Sequence, residues 1–292
     1  MRLRDIVAPK LASLSPKLQQ AALYVVEHPE EVATRSLRQV ARATDMSAPT
    51  FSRLAEELSF ASYEELREAC LSQLRQQEQS FAAKARALQD QAARQDEGGA
   101  FIVHQAQSTI SNINRLMNSV DPEQIETAAN RLACARKVIL VGMMSSRPFV
   151  DYLAYMASMG FDSWRVLGGE AGADAALLSD IGEDDVALVI SKAPYATQAI
   201  RAASYLKGAG AHVIGVTDRI DSPLSGHCNT VFLVSTDTPQ FFTSHAATLV
   251  LLETLIGLAV KASGPQVGQR IARIEASCHE MGEYVSNTNR VS

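Results

Sequence analysis

The chain has 292 residues, of which 47% are hydrophobic and 20% charged, enough length and apolar content for about two folded domains and too much for a disordered chain. Lys and Arg number 27 against 32 Asp and Glu, a formal net charge of −5, which argues against a protein that coats nucleic acid nonspecifically. A local nucleic-acid contact survives that argument, because residues 1–80 hold ten basic and eleven acidic side chains and most of the acidity lies further along. Cys70, Cys134, Cys228 and Cys278 are far apart, form no C-x-x-C pair and have no clustered histidines, so neither a disulfide framework nor a metal site is expected. They read as small buried apolar residues in a reducing compartment. The N-terminus, MRLRDIVAPKLASL, has no apolar core suited to a signal peptide. The longest apolar stretch, 246–260, is interrupted by Thr248, Glu253, Thr254 and Gly257, so no membrane span or membrane partner is expected. The expectation is a soluble, cytoplasmic protein.

Residues 14–74 read as short amphipathic helices. Ser15-Pro16 supplies a cap followed by Pro in the first turn, and apolar residues recur at Leu18, Ala21, Ala22, Val25 and Val26. That helix ends by His28-Pro29, since the residue before proline is pushed out of the α region. A second helix starts near Ser36 with Leu37, Val40 and Ala41 inward. A third turns Phe51, Leu54, Ala55 and Leu58 inward. A fourth starts near Ser62, with Glu64 and Glu65 in the first turn where the helix dipole favours carboxylates. From 73 to 118 the composition shifts to Gln, Ala, Arg and Glu, with a break at Gly98-Gly99. This reads as a helical connector in which no heptad persists for three turns. Beyond it, β-rich runs at 138–141, 186–190, 212–216 and 230–234 alternate with helical stretches such as 149–159 and 197–207. Unbroken apolar strands alternating with helices predict a parallel sheet covered on both faces.

Segment 37–54, LRQVARATDMSAPTFSRL, has helix-turn-helix spacing. Ala41 is small where two helices approach, and Asp45 stands four residues later at a turn that wants a left-handed residue, which Asp tolerates better than most. Ser47 can cap the following helix and Pro49 suits its first turn. That helix would present Ala48, Thr50, Ser52 and Arg53, so that Ser47, Ala48, Thr50, Ser52 and Arg53 are the candidate DNA-contacting residues, suited to major-groove approach and phosphate contact. Two short helices and a turn also occur in plain helical bundles, and Glu56 and Glu57 stand where a DNA reader would prefer basic residues, so the spacing leaves both readings open.

In the α/β half, 138–147 (VILVGMMSSR) is a strand that ends in Gly and opens a helix. Gly142, Ser145, Ser146 and Arg147 there could hold an anion with hydroxyls and free N–H groups at a helix N-terminus. A second strand-to-helix junction, 189–198 (VISKAPYATQ), offers Ser191, Lys192 and Thr197 as donors and Tyr195 as a stacking or capping ring. In an open parallel sheet, ligands bind outside the carboxyl ends of the strands, where both junctions fall. Solvent-facing serines, a solvated Lys192 and a packing Tyr195 remain the plainer alternatives. His227, His245 and Glu253 are conceivable acid–base groups, but isolated histidines and a Glu in an apolar run read as structural, so no catalytic residue is assigned and the chain is not expected to be an enzyme.

The first half, LSPKLQQAALYVVEHPEEVATRSLRQVARATDMSAPTFSRLAEELSFASYEEL, resembles the N-terminal domain of the RpiR/MurR family of bacterial transcriptional regulators. The likeness runs through H-P-E-E-V, S-x-x-x-V-A, M-S-x-x-T-F-x-R and S-F-x-S-Y-x-E-L, with Asp45 and Ser59 where the family usually has Gly. From about Asp121 to Ala262 the chain resembles the SIS (sugar isomerase) domain of those regulators, through A-x-x-V-I-L-V-G, S-M-G-F, V-I-S and G-A-x-V-I-G-V-T-D-x-x-x-S-P-L. SIS domains typically carry G-x-G-x-S and S-x-S-G-x-T loops. Here Met144 replaces the second Gly of the first loop, and only Ser191 of the second is kept. The second loop is similar to an S-x-x-P-Y-S-x-E version for which a phosphosugar ligand is not to be assumed.

The resemblance implies an α plus α/β protein: a helix-turn-helix DNA-binding domain (1–78), a helical connector (79–120), a parallel-sheet SIS α/β sandwich (121–264) for ligand sensing and dimerisation, and a C-terminal helical extension (265–292). It implies a transcription regulator that binds a double-stranded DNA operator, answers to a small-molecule effector such as a sugar phosphate, assembles as a homodimer or homotetramer and needs no cofactor. A sugar-phosphate isomerase, or a DNA-binding oligomer whose SIS domain has lost its ligand, are the alternatives.

Overall fold

The computed structural model describes residues 3–7, 9–78, 80–92, 98–169 and 174–284. The chain divides into two compact units, one up to Gln95 and one from Asp96. The expected boundary at residue 79 and the end of the C-terminal extension beyond 284 lie outside the described residues.

The first unit is helical: α1 (Leu3–Val7), α2 (Pro16–Glu27), α3 (Pro29–Thr34), α4 (Leu37–Ala43), α5 (Ala48–Glu57), α6 (Tyr63–Glu78) and α7 (Phe81–Ala92). Prolines sit in the first turns of α2, α3 and α5, where their missing N–H costs nothing. Ser36 and Gln39 form a capping box at α4, the side chain of Gln39 accepting from the Ser36 N–H at 2.8 Å. Glu65 closes α6 likewise, accepting from the Ala61 N–H at 2.5 Å. Val25, Val32, Val40, Phe51, Leu54 and Leu66 are fully buried in one core.

Between α4 and α5 the chain reverses through Asp45, which adopts φ 54°, while the Met46 N–H returns to the Ala41 carbonyl at 2.9 Å. The expected left-handed residue is therefore Asp45. Ser59, after α5, is also left-handed (φ 71°). There Lys10 Nζ donates to the Glu57 carbonyl (2.8 Å) and to Ser59 Oγ (2.7 Å), placing a cation at the negative end of α5.

The second unit runs α8 (Gly98–Ser119), α9 (Pro122–Cys134), β1 (Val138–Gly142), α10 (Arg147–Gly160), β2 (Trp164–Val166), α11 (Asp174–Leu178), β3 (Val186–Ile190), α12 (Thr197–Gly208), β4 (His212–Thr217), β5 (Thr230–Leu233), α13 (Ala246–Ala262) and α14 (Pro265–Glu280). Gly98-Gly99, expected as a break, opens α8, so the stretch read as a connector is shared between the two units. The sheet is parallel throughout, in the order β2-β1-β3-β4-β5, with Val138 beside Trp164 and Val186, and Val186 beside His212. Alternate residues serve two cores. Leu140, Leu188 and Val216 face α9, α10 and α13; Ile139, Val141 and Val189 face α12.

Helix α13 is core, through Leu251, Leu252, Leu255 and Ala259. Helix α14 lies on α10 so closely that a Cβ at Gly160 would stand 2.9 Å from Val267 Cγ1. Cys70 is buried, and burial pushes its thiol up to about 12. Cys134, expected inside, is exposed at the end of α9. Among the described residues no single helix is long and apolar enough to cross a membrane.

Because Asp45 holds a conformation that disfavours a Cβ, Asp45→Gly is expected to raise the stability of the first unit by up to about 1 kcal/mol and Asp45→Val to lower it by about 1–2 kcal/mol. Chemical denaturation followed by circular dichroism measures both.

Candidate functional site

On α5, Arg53 is exposed and, among the described residues, makes no hydrogen bond or ion pair. Thr50 and Ser52 are half-buried beside it. Two expectations are corrected here. Ser47 occupies the cap position but does not cap with its side chain; its hydroxyl lies 2.8 Å from that of Thr50. Ala48 is half-buried and packs on the core instead of facing outward, because it falls on the helix side shared with Phe51 and Ala55. Arg38 and Arg42 on α4 are exposed and unpaired among the described residues, flanking cations that the sequence reading did not single out. Glu56 and Glu57 are exposed near the far end of α5.

In the second unit, α10 follows β1 onto one face of the sheet and α12 follows β3 onto the other. The ends of β1 and β3 therefore part to form the crevice typical of a topological switch point. At the β1 end, Gly142 is required: a Cβ there would stand 2.7 Å from the Ser146 carbonyl oxygen and 2.9 Å from Val150 Cγ1. Met144, which replaces the second loop glycine, still adopts the left-handed backbone (φ 52°) and holds its side chain out in solvent. The loop thus keeps the path a glycine would give it. Ser145 is half-buried and Ser146 buried behind it. Arg147 is already engaged: Nε donates to both Asp151 oxygens (2.8 and 2.9 Å) and Nη1 to the Gly168 carbonyl (3.1 Å), tying α10 to the exit of β2.

At the β3 end, Ser191 is buried and its Oγ has no hydrogen-bond partner. Lys192 is not the solvated cation that the sequence left open. It is 6% exposed, and its Nζ donates to Thr248 Oγ1 on α13. Burial lowers it to about 7, against a smaller opposing effect of the Asp218 charge. His245, at the start of α13, stacks on Phe149 with centroids 4.4 Å apart, and both of its ring nitrogens are buried without partners. Burial first, and the nearby Lys192 cation second, hold it down to about 4, so it is neutral at pH 7. Tyr195 is half-buried and lies near Asp218, just past β4; burial, then the Asp218 charge, push its hydroxyl well above the usual phenol range. Thr197 is exposed at the first turn of α12.

The structure therefore brings Lys192 together with Thr248 and His245, and Tyr195 together with Asp218. Sequence reasoning missed Thr248 and Asp218. The signal for Asp218 was its position just past an apolar strand; Thr248 gave none, since it reads as a helix residue. His227 lies ahead of β5, at the other edge of the sheet, where Lys207 Nζ holds the carbonyls of Gly226 and Cys228. Glu253 lies on the exposed side of α13, bonded to the Tyr152 hydroxyl at 3.1 Å. Neither joins the Lys192 cluster. Chemically, the crevice offers a desolvated amine and unpartnered polar atoms to an anionic or hydroxylated ligand.

Residues 131–258, which span this sheet and both loops, match the SIS domain family. That segment has the SIS-type α/β fold. Around it, the whole chain is similar to an uncharacterized HTH-type transcriptional regulator of Caldanaerobacter subterraneus, 23% identical over 289 residues, 98% of this chain and 95% of that protein. The fold is similar to that of Vibrio vulnificus NanR complexed with ManNAc-6P, with TM-score 0.57 and 19% identity over 96% of this chain and 97% of that one. The SIS domain is also similar to the sugar isomerase domain of an RpiR transcription factor from Sphaerobacter thermophilus, with TM-score 0.55 and 20% identity over 60% of this chain and 97% of that one. The likeness to an HTH-type transcriptional regulator thus extends over both units, and that to the RpiR structure over 60% of the chain.

Lys192 supplies a pH test. Its pKa in the folded state, about 7, is below the unfolded value of 10.5, so the unfolded chain binds more protons between these limits and stability rises with pH across that window. The penalty is fully present below pH 7. Wild type is therefore expected to gain stability relative to Lys192→Met between pH 7 and about 10, measured by denaturant midpoints; a constant difference would show that the amine is solvated.

Proposed function

We propose that this chain is a transcription regulator that binds operator DNA through α5 and senses a small anionic metabolite in the crevice of its SIS domain. The observation that carries the reading is Lys192, a buried amine with no carboxylate bonded to it, set at the switch point of a SIS sheet in a chain that also holds a helix-turn-helix. Burying such a group unpaired is costly unless a ligand completes it. An anion against Lys192 would be met by Ser191 and His245 from the β3 and α13 sides, with Gly142, Ser145, Ser146 and Thr197 lining the loops and Tyr195 closing one wall. Arg147 then acts as a brace for the first loop. The relative NanR is a complex with ManNAc-6P, which supports a sugar phosphate or a ligand of similar charge. We read the domain as a sensor and not a catalyst: of the three conceivable acid–base groups only His245 joins the Lys192 cluster, stacked on Phe149 with no hydrogen-bond partner on either ring nitrogen, while His227 and Glu253 lie elsewhere. Two copies of α5 reading two half-sites of a double-stranded operator suit a homodimer, or a homotetramer of dimers. Ligand binding would shift the population of arrangements competent for DNA.

On DNA, Ser47, Thr50, Ser52 and Arg53 are the contacts we assign to the groove and its phosphates, with Arg38 and Arg42 on the flanking backbone. The near balance of charge in residues 1–80 makes nonspecific affinity modest. In a gel shift on the chain's own upstream region, Arg53→Ala is expected to weaken specific binding by about 1–3 kcal/mol, roughly 5- to 150-fold. An unchanged shift would remove α5 from the groove. Repeating the shift with a panel of phosphorylated and unphosphorylated metabolites identifies the effector: the active compound should change the wild-type shift and leave that of Lys192→Met unchanged.

A further inference from the structure

We propose that Lys192 captures a carbonyl ligand covalently, as an imine, so that the metabolite sensed in the crevice is an anionic aldehyde or ketone. This rests on the anion-sensing role proposed above and deepens it by naming the ligand's second functional group. Lys192 follows directly on β3, is buried, and donates from Nζ to Thr248 Oγ1, a neutral hydroxyl. Ser191 Oγ beside it and both ring nitrogens of His245 are buried without a partner. The charged group that acts on the amine is Asp218, whose effect is smaller than that of burial, and His245 is itself neutral at pH 7. An amine brought down to about 7 is partly unprotonated at neutral pH. In that form it makes no ion pair but is a nucleophile toward a carbonyl carbon.

The groups around the amine are fixed from behind. The Ser244 N–H donates to the Thr236 carbonyl at 3.1 Å, which pinches the segment leading into α13 just before His245. The next residue of that segment, Asp237, is held by α8, where the buried Asn112 donates to its carbonyl at 2.7 Å and Ser108 to the same oxygen at 2.9 Å. Phe149 then pins the His245 ring by stacking. The unpartnered nitrogens of His245 are therefore held in place and do not swing out to find water.

The step needs no reactant beyond the amine and the carbonyl. The nitrogen lone pair forms a C–N bond to the carbonyl carbon while the π pair of the C=O bond moves to oxygen. One proton passes from nitrogen to that oxygen, and the neutral His245 ring is an acceptor near the amine for this transfer. The second nitrogen proton then leaves with the oxygen as water, the C–O bond breaks, and a C=N bond takes its place. Nothing is oxidised or reduced, and water reverses the step, as a sensor requires. Shielding of the amine from bulk water favours the imine over its hydrolysis. Ser145 in the β1 loop and Thr197 at the start of α12 remain for the anionic group of the ligand.

The test incubates the full wild-type chain with glyoxylate and cyanoborohydride at neutral pH and reads every lysine by peptide mass spectrometry. Glyoxylate is the smallest anionic aldehyde, so it enters wherever a larger carbonyl ligand does, and the reductant turns an imine into a stable carboxymethyl amine. Lys192 is expected to be labelled at least about tenfold faster than any other lysine of the chain, a preference that disappears in urea, where burial is lost. Labelling of Lys192 no faster than the rest, or a preference that survives in urea, would overturn the proposal. Inorganic phosphate separates it from the sensing role on which it rests. If phosphate raises the melting temperature of wild type but not of Lys192→Met, and Lys192 is not preferentially labelled, the imine is overturned and anion sensing stands; if neither effect is seen, both are overturned.

Discussion

Strands β1 and β3 lie side by side, every residue of both is buried, and the helices that follow them leave for opposite faces of the sheet. That divergence is the constraint on which the rest of the second unit depends. Two covering layers satisfy the apolar faces, but nothing can fill the gap where the two connections part, so backbone N–H groups and small side chains converge there. Gly142 has no room for a Cβ because the chain must turn at once into the 3-10 turn before α10. Met144 shows how far this geometry overrides residue preference: it accepts a left-handed backbone where glycine would be at ease, at a cost of about 1–2 kcal/mol.

Lys192 is held by the same constraint. It follows directly on β3, and Thr248 of α13 accepts from its amine, so that amine is largely shielded from water. Its depressed affinity for a proton and the neutrality of His245 are two results of one burial. In the proposed sensing role, an anion bound against this amine would recover part of the cost of burying it without a carboxylate partner.

The α4–α5 pair in the first unit is built differently. Its determinants are a left-handed Asp45, a fully buried Phe51 and Leu54, and a lysine from the chain's start, Lys10, that terminates α5. In the proposed role on DNA, a few rigidly presented cations would compensate for a near-neutral surface, and two weak half-site contacts would add if two copies were joined.

Sequence alone determined what depends on neighbours along the chain. The strands at 138–142, 186–190, 212–217 and 230–233 were legible because continuous β-branched and aliphatic runs have no other stable use, and Ser36, Asp45 and the prolines marked helix ends by local geometry. Strand β2 was missed because it is three residues long and carries the exposed Arg165 at its middle. The tertiary structure decided everything that joins distant residues: Thr248 against Lys192 across 56 positions, Asp237 against α8 across more than 120, and His245 against Phe149. It also separated His227 from the cluster and turned Ala48 inward. Whether a lysine is solvated or buried, and whether an apolar row is core or surface, depends on what crosses over it, and local pattern carries no record of that.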